Sequence, residues 1–97
     1  MIRHMVLWNL KEEYDDKKED VFLEIKTRLE GLKKDFPAIH VLSVERGINP
    51  YGYDICLYAE FTEFSDVTAY LAHPLHKKEQ EQISKYIKEK AVVSTVI

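Results

Sequence analysis

Four segments of the chain carry the hydrophobic and polar patterns of β-strands. They cover residues 2–10, 40–46, 53–62 and 91–97, and the last is rich in the β-branched residues that favour strands. Successive side chains of a strand point to opposite faces, so the first strand should place one set of residues on a common, helix-covered face. That set is Ile2, His4, Val6, Trp8 and Leu10.

A helix is predicted between residues 15 and 36, where apolar side chains recur every three or four positions among charged ones. Asp16, followed three residues later by Glu19, resembles a capping box that would begin this helix. Pro37 should end it, because the residue before a proline is disfavoured in the helical conformation.

A second helical region follows the third strand and is interrupted by a proline. Ser65 is a candidate N-cap for a short helix, and a longer, very polar helix is predicted from Pro74 to about Lys90. If the helix restarts at Pro74, His76 falls seven residues before Ile83. This spacing places His76 on the inward, apolar stripe of an otherwise polar helix.

The order of elements, β-α-β-β-α-β, predicts a ferredoxin-like α+β domain spanning residues 1–97. One four-stranded antiparallel sheet would then carry both helical regions on one face. Its open face is not polar, because Met5, Leu7, Cys56 and Tyr58 should lie there. Since soluble proteins rarely expose so large an apolar patch, we expect a homodimer that packs the two open sheet faces together as a barrel.

Composition narrows the classes of partner. The chain has 97 residues and a net charge of −3, which argues against nucleic-acid binding because phosphate neutralisation needs a basic surface. No run approaches the roughly 20 apolar residues of a membrane span. The opening residues 1–4 lead into a strand pattern rather than the apolar core of a signal peptide, and the single Cys56 cannot form an internal disulfide. We therefore expect a cytoplasmic protein without a membrane partner.

The richest chemistry lies in residues 70–76, where a tyrosine and two histidines surround a proline. A buried, neutral His76 could act as a general base, and Tyr70 could donate a hydrogen bond to a substrate oxygen. Each has a structural alternative: His76 as a hydrogen-bonded core histidine, and Tyr70 as a packing residue. His73 and His76 do not suit a metal, because the proline disturbs their spacing and no carboxylate accompanies them. We expect no side-chain metal site and no cofactor.

Four segments of the chain carry a further signal: residues 2–8, 52–55, 70–76 and 91–93. Together they resemble the stress-responsive A/B barrel (Dabb) family of the dimeric α+β barrel group. The resemblance spans nearly the whole chain, and the His-Pro-x-His element is its most specific part. It implies a homodimer with a small apolar cleft between sheet and helices in each subunit.

The resemblance also implies candidate site residues. In a plant cyclase of this family, a tyrosine and a histidine catalyse an aldol condensation without a cofactor, and by motif they fall on Tyr70 and His76. A cleft-lining histidine of that enzyme falls on His4. His4 shares its strand face with Val6 and Trp8, which are therefore expected to line the cleft as ligand-binding residues, with Trp8 narrowing it.

Two functions follow as hypotheses. In the first, a small homodimer binds an apolar or carbonyl-containing molecule in the cleft and acts as a cofactor-independent lyase or cyclase through His76 and Tyr70. In the second, the protein is a non-catalytic, stress-associated dimer whose cleft is filled by Trp8, Phe22 and Phe61. Cleft volume separates the two, since a ligand site needs roughly 300 Å³ or more with His76 exposed to it.

Overall fold

Four antiparallel strands form one sheet in the computed structural model, which describes residues 1–97. The strands are β1 (Ile2–Leu10), β2 (Ile39–Arg46), β3 (Ile55–Phe61) and β4 (Ile87–Val96). Their order across the sheet is β2-β3-β1-β4, so the first strand lies in the centre and the last lies at an edge. This is the ferredoxin-like α+β arrangement that the sequence pattern predicted.

Three α-helices accompany the sheet: α1 (Lys18–Glu30), α2 (Phe64–Ala72) and α3 (Pro74–Ser84). Short 3-10 turns at Glu12–Lys17 and Lys33–Asp35 precede and follow α1. None of these helices is long and apolar enough to cross a membrane.

The two faces of the sheet differ as the alternation predicted. In β1, His4, Val6, Trp8 and Leu10 are buried, whereas the residues between them are only partly buried. The buried residues of β3 pair with them in register, for example Ala59 opposite His4. The core therefore lies between this face and the helices, with its most enclosed side chains in Ile25, Leu29, Val44, Ile55, Phe61 and Val67.

The opposite face of the sheet carries no helix and is apolar in its middle, with charged residues such as Arg3 and Glu60 nearer its ends. Met5 and Leu7 of β1 lie beside Tyr58 and Cys56 of β3, and all four are partly buried. On the other side of β1, Val93 lies opposite Met5 and is 47% exposed. This open face is the surface that the sequence pattern assigned to a partner.

An ion pair on α1 provides hydrogen-bond partners for backbone groups of the edge strand β2. The Val44 N–H donates to Glu30 Oε2 at 2.8 Å, and Lys26 Nζ donates both to the Val44 carbonyl at 2.8 Å and to Glu30 Oε2 at 2.7 Å. Burial alone would raise the pKa of the Glu30 carboxyl, but the hydrogen bonds from Lys26 and Val44 hold that pKa below its usual value. The pair takes the place of a neighbouring strand at Val44, which protects the edge from another chain.

The helix starts differ from the sequence prediction. Asp16 lies inside the 3-10 turn that precedes α1, and Lys17 is the N-cap without a side-chain hydrogen bond, so the predicted Asp16 cap is wrong. At α2 the N-cap is Glu63 rather than Ser65, and the Glu63 N–H donates to Asp66 Oδ2 at 3.1 Å in a capping box. The capping box therefore lies two residues earlier than the predicted Ser65 cap, and carboxylates take the place of the hydroxyl.

The last helix is shorter than predicted and the last strand is longer. Helix α3 ends at Ser84, and β4 begins at Ile87 instead of near residue 91. The register explains the difference, because β1 pairs along its whole length, with Leu10 opposite Ile87 and Trp8 opposite Lys90. Pairing with a central strand overrides the helical preference of this charged run.

Candidate functional site

A cavity of about 320 Å³ opens between the sheet and the helices. Its wall is mostly hydrophobic and is formed by three strands, β1, β3 and β4, and by all three α-helices. The structure brings all five sequence-predicted site residues to this one cavity. They are His4, Val6, Trp8, Tyr70 and His76.

The break between α2 and α3 brings Tyr70 and His76 together. His73 ends α2 and begins α3 with an extended backbone, and its ring Nδ1 accepts a hydrogen bond from the Leu75 N–H at 3.1 Å. Pro74 occupies the first turn of α3, where its missing N–H costs nothing. The Tyr70 and His76 rings consequently lie in contact, with their centroids 4.4 Å apart.

Tyr70 is held by an aromatic cluster and keeps a free hydroxyl. Its ring packs against Phe36, with centroids 5.0 Å apart, and against Phe61 at 5.4 Å. The residue is 2% exposed, and its hydroxyl has no hydrogen-bond partner within the protein. Burial raises the pKa of this phenol well above its ordinary value, so the hydroxyl stays protonated and is available as a donor.

His4 is fixed on one side of its ring and free on the other. It is 1% exposed, and Nδ1 lies 2.8 Å from Ser94 Oγ on β4, whereas Nε2 has no partner within the protein. Burial lowers the pKa of this imidazole, and the positive charge of Lys90 lowers it further. The ring is therefore neutral near pH 7.

His76 is in a similar electrostatic state. It is 8% exposed, and its Nδ1 has no partner within the protein. Burial lowers the pKa of His76, and the charges of Lys90 and His4 lower it further. Hydrogen bonding with the Leu71 backbone acts in the opposite direction and raises this pKa. A neutral imidazole with a free ring nitrogen is the state that a general base requires.

The protein's three buried polar side-chain atoms without a partner all belong to this cavity. They are His4 Nε2, Tyr70 Oη and His76 Nδ1. Buried polar groups normally find hydrogen-bond partners, and leaving one unpaired costs on the order of 1–3 kcal/mol. All three residues line the same cavity, where water or the polar group of a bound molecule can supply the missing partner.

Sequence reasoning missed Lys90 and Ser94, which also shape this site. Lys90 lines the cavity and Ser94 anchors His4, and both lie on the helix-facing side of β4 through their pairing with Trp8 and His4. The two residues fall on one face because the strand alternation extends back from residue 94 to residue 90, and the pairing of β4 with β1 decides that it does. The polar run up to Lys90 favours a helix by its residue types, so the sequence did not predict a strand there.

No three histidine, cysteine, aspartate or glutamate side chains lie close enough together to hold a metal ion. Cys56 belongs to the open face of the sheet, and burial raises the pKa of its thiol. The side chains able to bind a ligand polar group in the cavity are therefore hydrogen-bonding and cationic groups.

The two buried histidines should make stability depend on pH. In the unfolded chain both take up protons near the ordinary value of 6.5, but their folded pKa values are lower, so unfolding takes up protons in between. The contribution of the two neutral histidines to the free energy of unfolding is complete above pH 6.5. It is lost as the pH falls from 6.5 through their lowered folded-state pKa values. Melting temperatures across this range should fall less steeply for His4→Gln/His76→Gln than for the wild type. Equal slopes in both proteins would contradict the pKa assignment.

Solved structures share the fold over nearly the whole chain. A dimeric protein of unknown function with a ferredoxin-like fold from Bacteroides fragilis is 26% identical, with a TM-score of 0.88, and the match covers 99% of this chain and 95% of that one. A Dabb family protein from Mesorhizobium loti is 23% identical with a TM-score of 0.72, covering 99% and 95%. Hydroxynitrile lyase from Passiflora edulis is 14% identical with a TM-score of 0.75, covering 99% and 92%.

The family is established from the sequence. No curated protein matches the chain. The family model of the stress responsive A/B barrel domain, Dabb, matches residues 2–96, which is almost the entire chain. The cleft-bearing ferredoxin-like subunit described above therefore belongs to the stress-responsive A/B barrel domain family.

Proposed function

We propose that this protein binds a small, largely apolar carbonyl compound in the cavity and moves a proton on it without a cofactor, as a lyase or cyclase does. One observation carries the proposal: three residues that line an apolar cavity of about 320 Å³ each hold a buried polar atom without a hydrogen-bond partner. The volume lies at the lower end of ligand pockets, which suits a small molecule. The fold accommodates such chemistry, since the Passiflora edulis protein of the same fold is a hydroxynitrile lyase.

The neutral groups divide into a base and donors. His76 Nδ1 would take a proton from the carbon next to the ligand carbonyl, and the electron pair of the broken C–H bond would move onto the carbonyl oxygen as an enolate. Tyr70 Oη, held protonated by burial, would donate a hydrogen bond to that oxygen. His4 Nε2, in the tautomer that carries its proton there, is a second donor. The imidazolium of His76 then returns the proton to carbon. In the cyclase branch, the enolate carbon instead attacks a second carbonyl carbon of the same ligand, the π electrons of that carbonyl move onto its oxygen, and the imidazolium gives its proton to the resulting alkoxide.

The cavity volume disfavours the alternative of a self-filled structural dimer. Trp8 forms part of the cavity wall, but Phe22 and Phe61 are not among the lining residues, and the space stays open. A purely structural cleft would also leave three buried polar atoms unsatisfied without benefit. Both features support a site that a ligand completes.

We further propose that two copies pair through the open faces of their sheets, in the cytoplasm. The apolar character of that face supports the pairing, as do the Bacteroides fragilis structure and other dimeric relatives of the same fold. Each cavity lies on the helix-covered side of its own sheet, so pairing of the open faces leaves the cavities accessible.

Hydrogen–deuterium exchange tests the proposed chemistry directly. Phenylacetone, a small apolar ketone, should exchange its benzylic protons in deuterated buffer faster with the protein than without it, and the rate should saturate with ketone concentration. Trp8 is the only tryptophan and lines the cavity, so its fluorescence should change over the same concentrations. Proton NMR follows the exchange. The proposal is refuted if the ketone shows no protein-dependent exchange and also causes no change in Trp8 fluorescence.

A further inference from the structure

The cavity is free of acidic groups although the protein as a whole is acidic. The chain has 17 acidic and 14 basic residues, yet no aspartate or glutamate lines the cavity. Its polar wall consists of neutral or cationic side chains, and Lys90 is the only formally charged residue among them. The polar members are His4, Tyr70, His76, Gln80, Ser84 and Lys90.

Lys90 is placed to face the cavity and has no anionic partner. Its pairing opposite Trp8 puts it on the helix-facing side of β4, and its side chain is exposed at the cavity rim. No ion pair or side-chain hydrogen bond involves Lys90, whereas Lys88, two residues earlier, lies 3.5 Å from Glu12. The positive charge of Lys90 lowers the pKa values of both cavity histidines, His4 and His76. An ammonium group is thus directed toward the site with no counter-charge from the protein.

We propose that the ligand is a monoanion, a small carbonyl compound that carries a carboxylate, and that Lys90 is the specificity-determining residue that binds this carboxylate. The inference rests on the proposed function and names its substrate class. The carboxylate would lie at the exposed rim and the apolar body against the hydrophobic wall, with the carbonyl toward Tyr70 and His76. A single lysine beside neutral donors suits a carboxylate, while a phosphate dianion usually recruits several cationic or backbone donors.

Two rigid ketones of nearly the same shape can measure the effect of the ligand's negative charge on binding. We would titrate 4-acetylbenzoate and 4-acetylbenzamide, which have nearly the same shape and differ by one negative charge, following Trp8 fluorescence and the heat of binding. A charge-assisted contact at an exposed rim should make the benzoate bind about tenfold more tightly than the benzamide at low salt. The preference should shrink as salt is added, because solvent-exposed charges are screened.

Variants assign the preference to Lys90. Lys90→Met should weaken benzoate binding about tenfold and change benzamide binding by less than about twofold, since only the charged contact is lost. Lys90→Arg should restore the preference. Lys88→Met, which removes a charge from the same strand but not from the cavity wall, should leave both affinities unchanged.

The outcomes separate this inference from the proposed function. If both compounds bind with equal affinity, or if Lys90→Met weakens both equally, the carboxylate assignment is overturned while the ketone site stands. The same holds if Lys88→Met has the effect expected of Lys90→Met. If neither compound binds and phenylacetone is not exchanged either, the proposed function fails and the inference fails with it.

Discussion

His76→Gln should slow the exchange of phenylacetone protons by at least about a hundredfold, because glutamine cannot accept a proton near neutral pH and general bases contribute roughly 10²–10⁴ in rate. Ketone binding should persist, since Tyr70 and the apolar wall are unchanged. The fold should tolerate the change as well. His76 Nδ1 has no partner within the protein, so the substitution breaks no hydrogen bond at that atom. Exchange rates by NMR and the change in Trp8 fluorescence measure the two effects separately.

The matched control is His40→Gln. His40 is an exposed histidine on β2, where Nε2 lies 2.7 Å from Thr62 Oγ1, and it does not line the cavity. The His40→Gln variant should exchange the ketone protons at the wild-type rate. If His76→Gln exchanged protons at the wild-type rate, His76 would not be the base. A sharp fall in melting temperature with ketone exchange retained would instead identify His76 as a packing residue.

The site residues that the sequence could locate are those whose position depends on local periodicity. The alternation of β1 placed His4, Val6 and Trp8 on one face, and an apolar core on that side decides which face is covered. Pro74 fixes where α3 starts, so the phase that brings His76 and Ile83 inward follows from counting. These residues needed no knowledge of the rest of the fold.

The residues that the sequence could not locate depend on distant pairing. Residues 85–90 are rich in lysine and glutamate and favour a helix by intrinsic preference, yet most of them enter β4 because β1 offers an unpaired edge as far as Leu10. Lys90 and Ser94 join the site only through this register. The Glu63 cap is similar, because it depends on where β3 stops rather than on a preferred hydroxyl.

Leu7→Glu should convert the proposed dimer to a monomer. Leu7 lies in the middle of the open face, between Cys56 on β3 and Ala91 on β4. In a two-fold interface each subunit would therefore bury one introduced carboxylate, two in all. Burying an unpaired charge costs several kcal/mol, and the dissociation constant should therefore rise by at least about a hundredfold. Light scattering coupled to size exclusion should report the mass of one 11.4 kDa chain in place of two.

Leu23→Glu provides the matched control for that variant. Leu23 is on α1, is 49% exposed and does not belong to the sheet, so the same substitution there should leave the dimer intact. The open-face interface would be wrong if the two variants behaved alike, or if the wild type itself were a monomer at micromolar concentration. A Leu7→Glu monomer that keeps its far-ultraviolet circular dichroism and still binds ketone would further show that each cavity belongs to one subunit. Loss of ketone binding in a folded monomer would instead require the partner to complete the site.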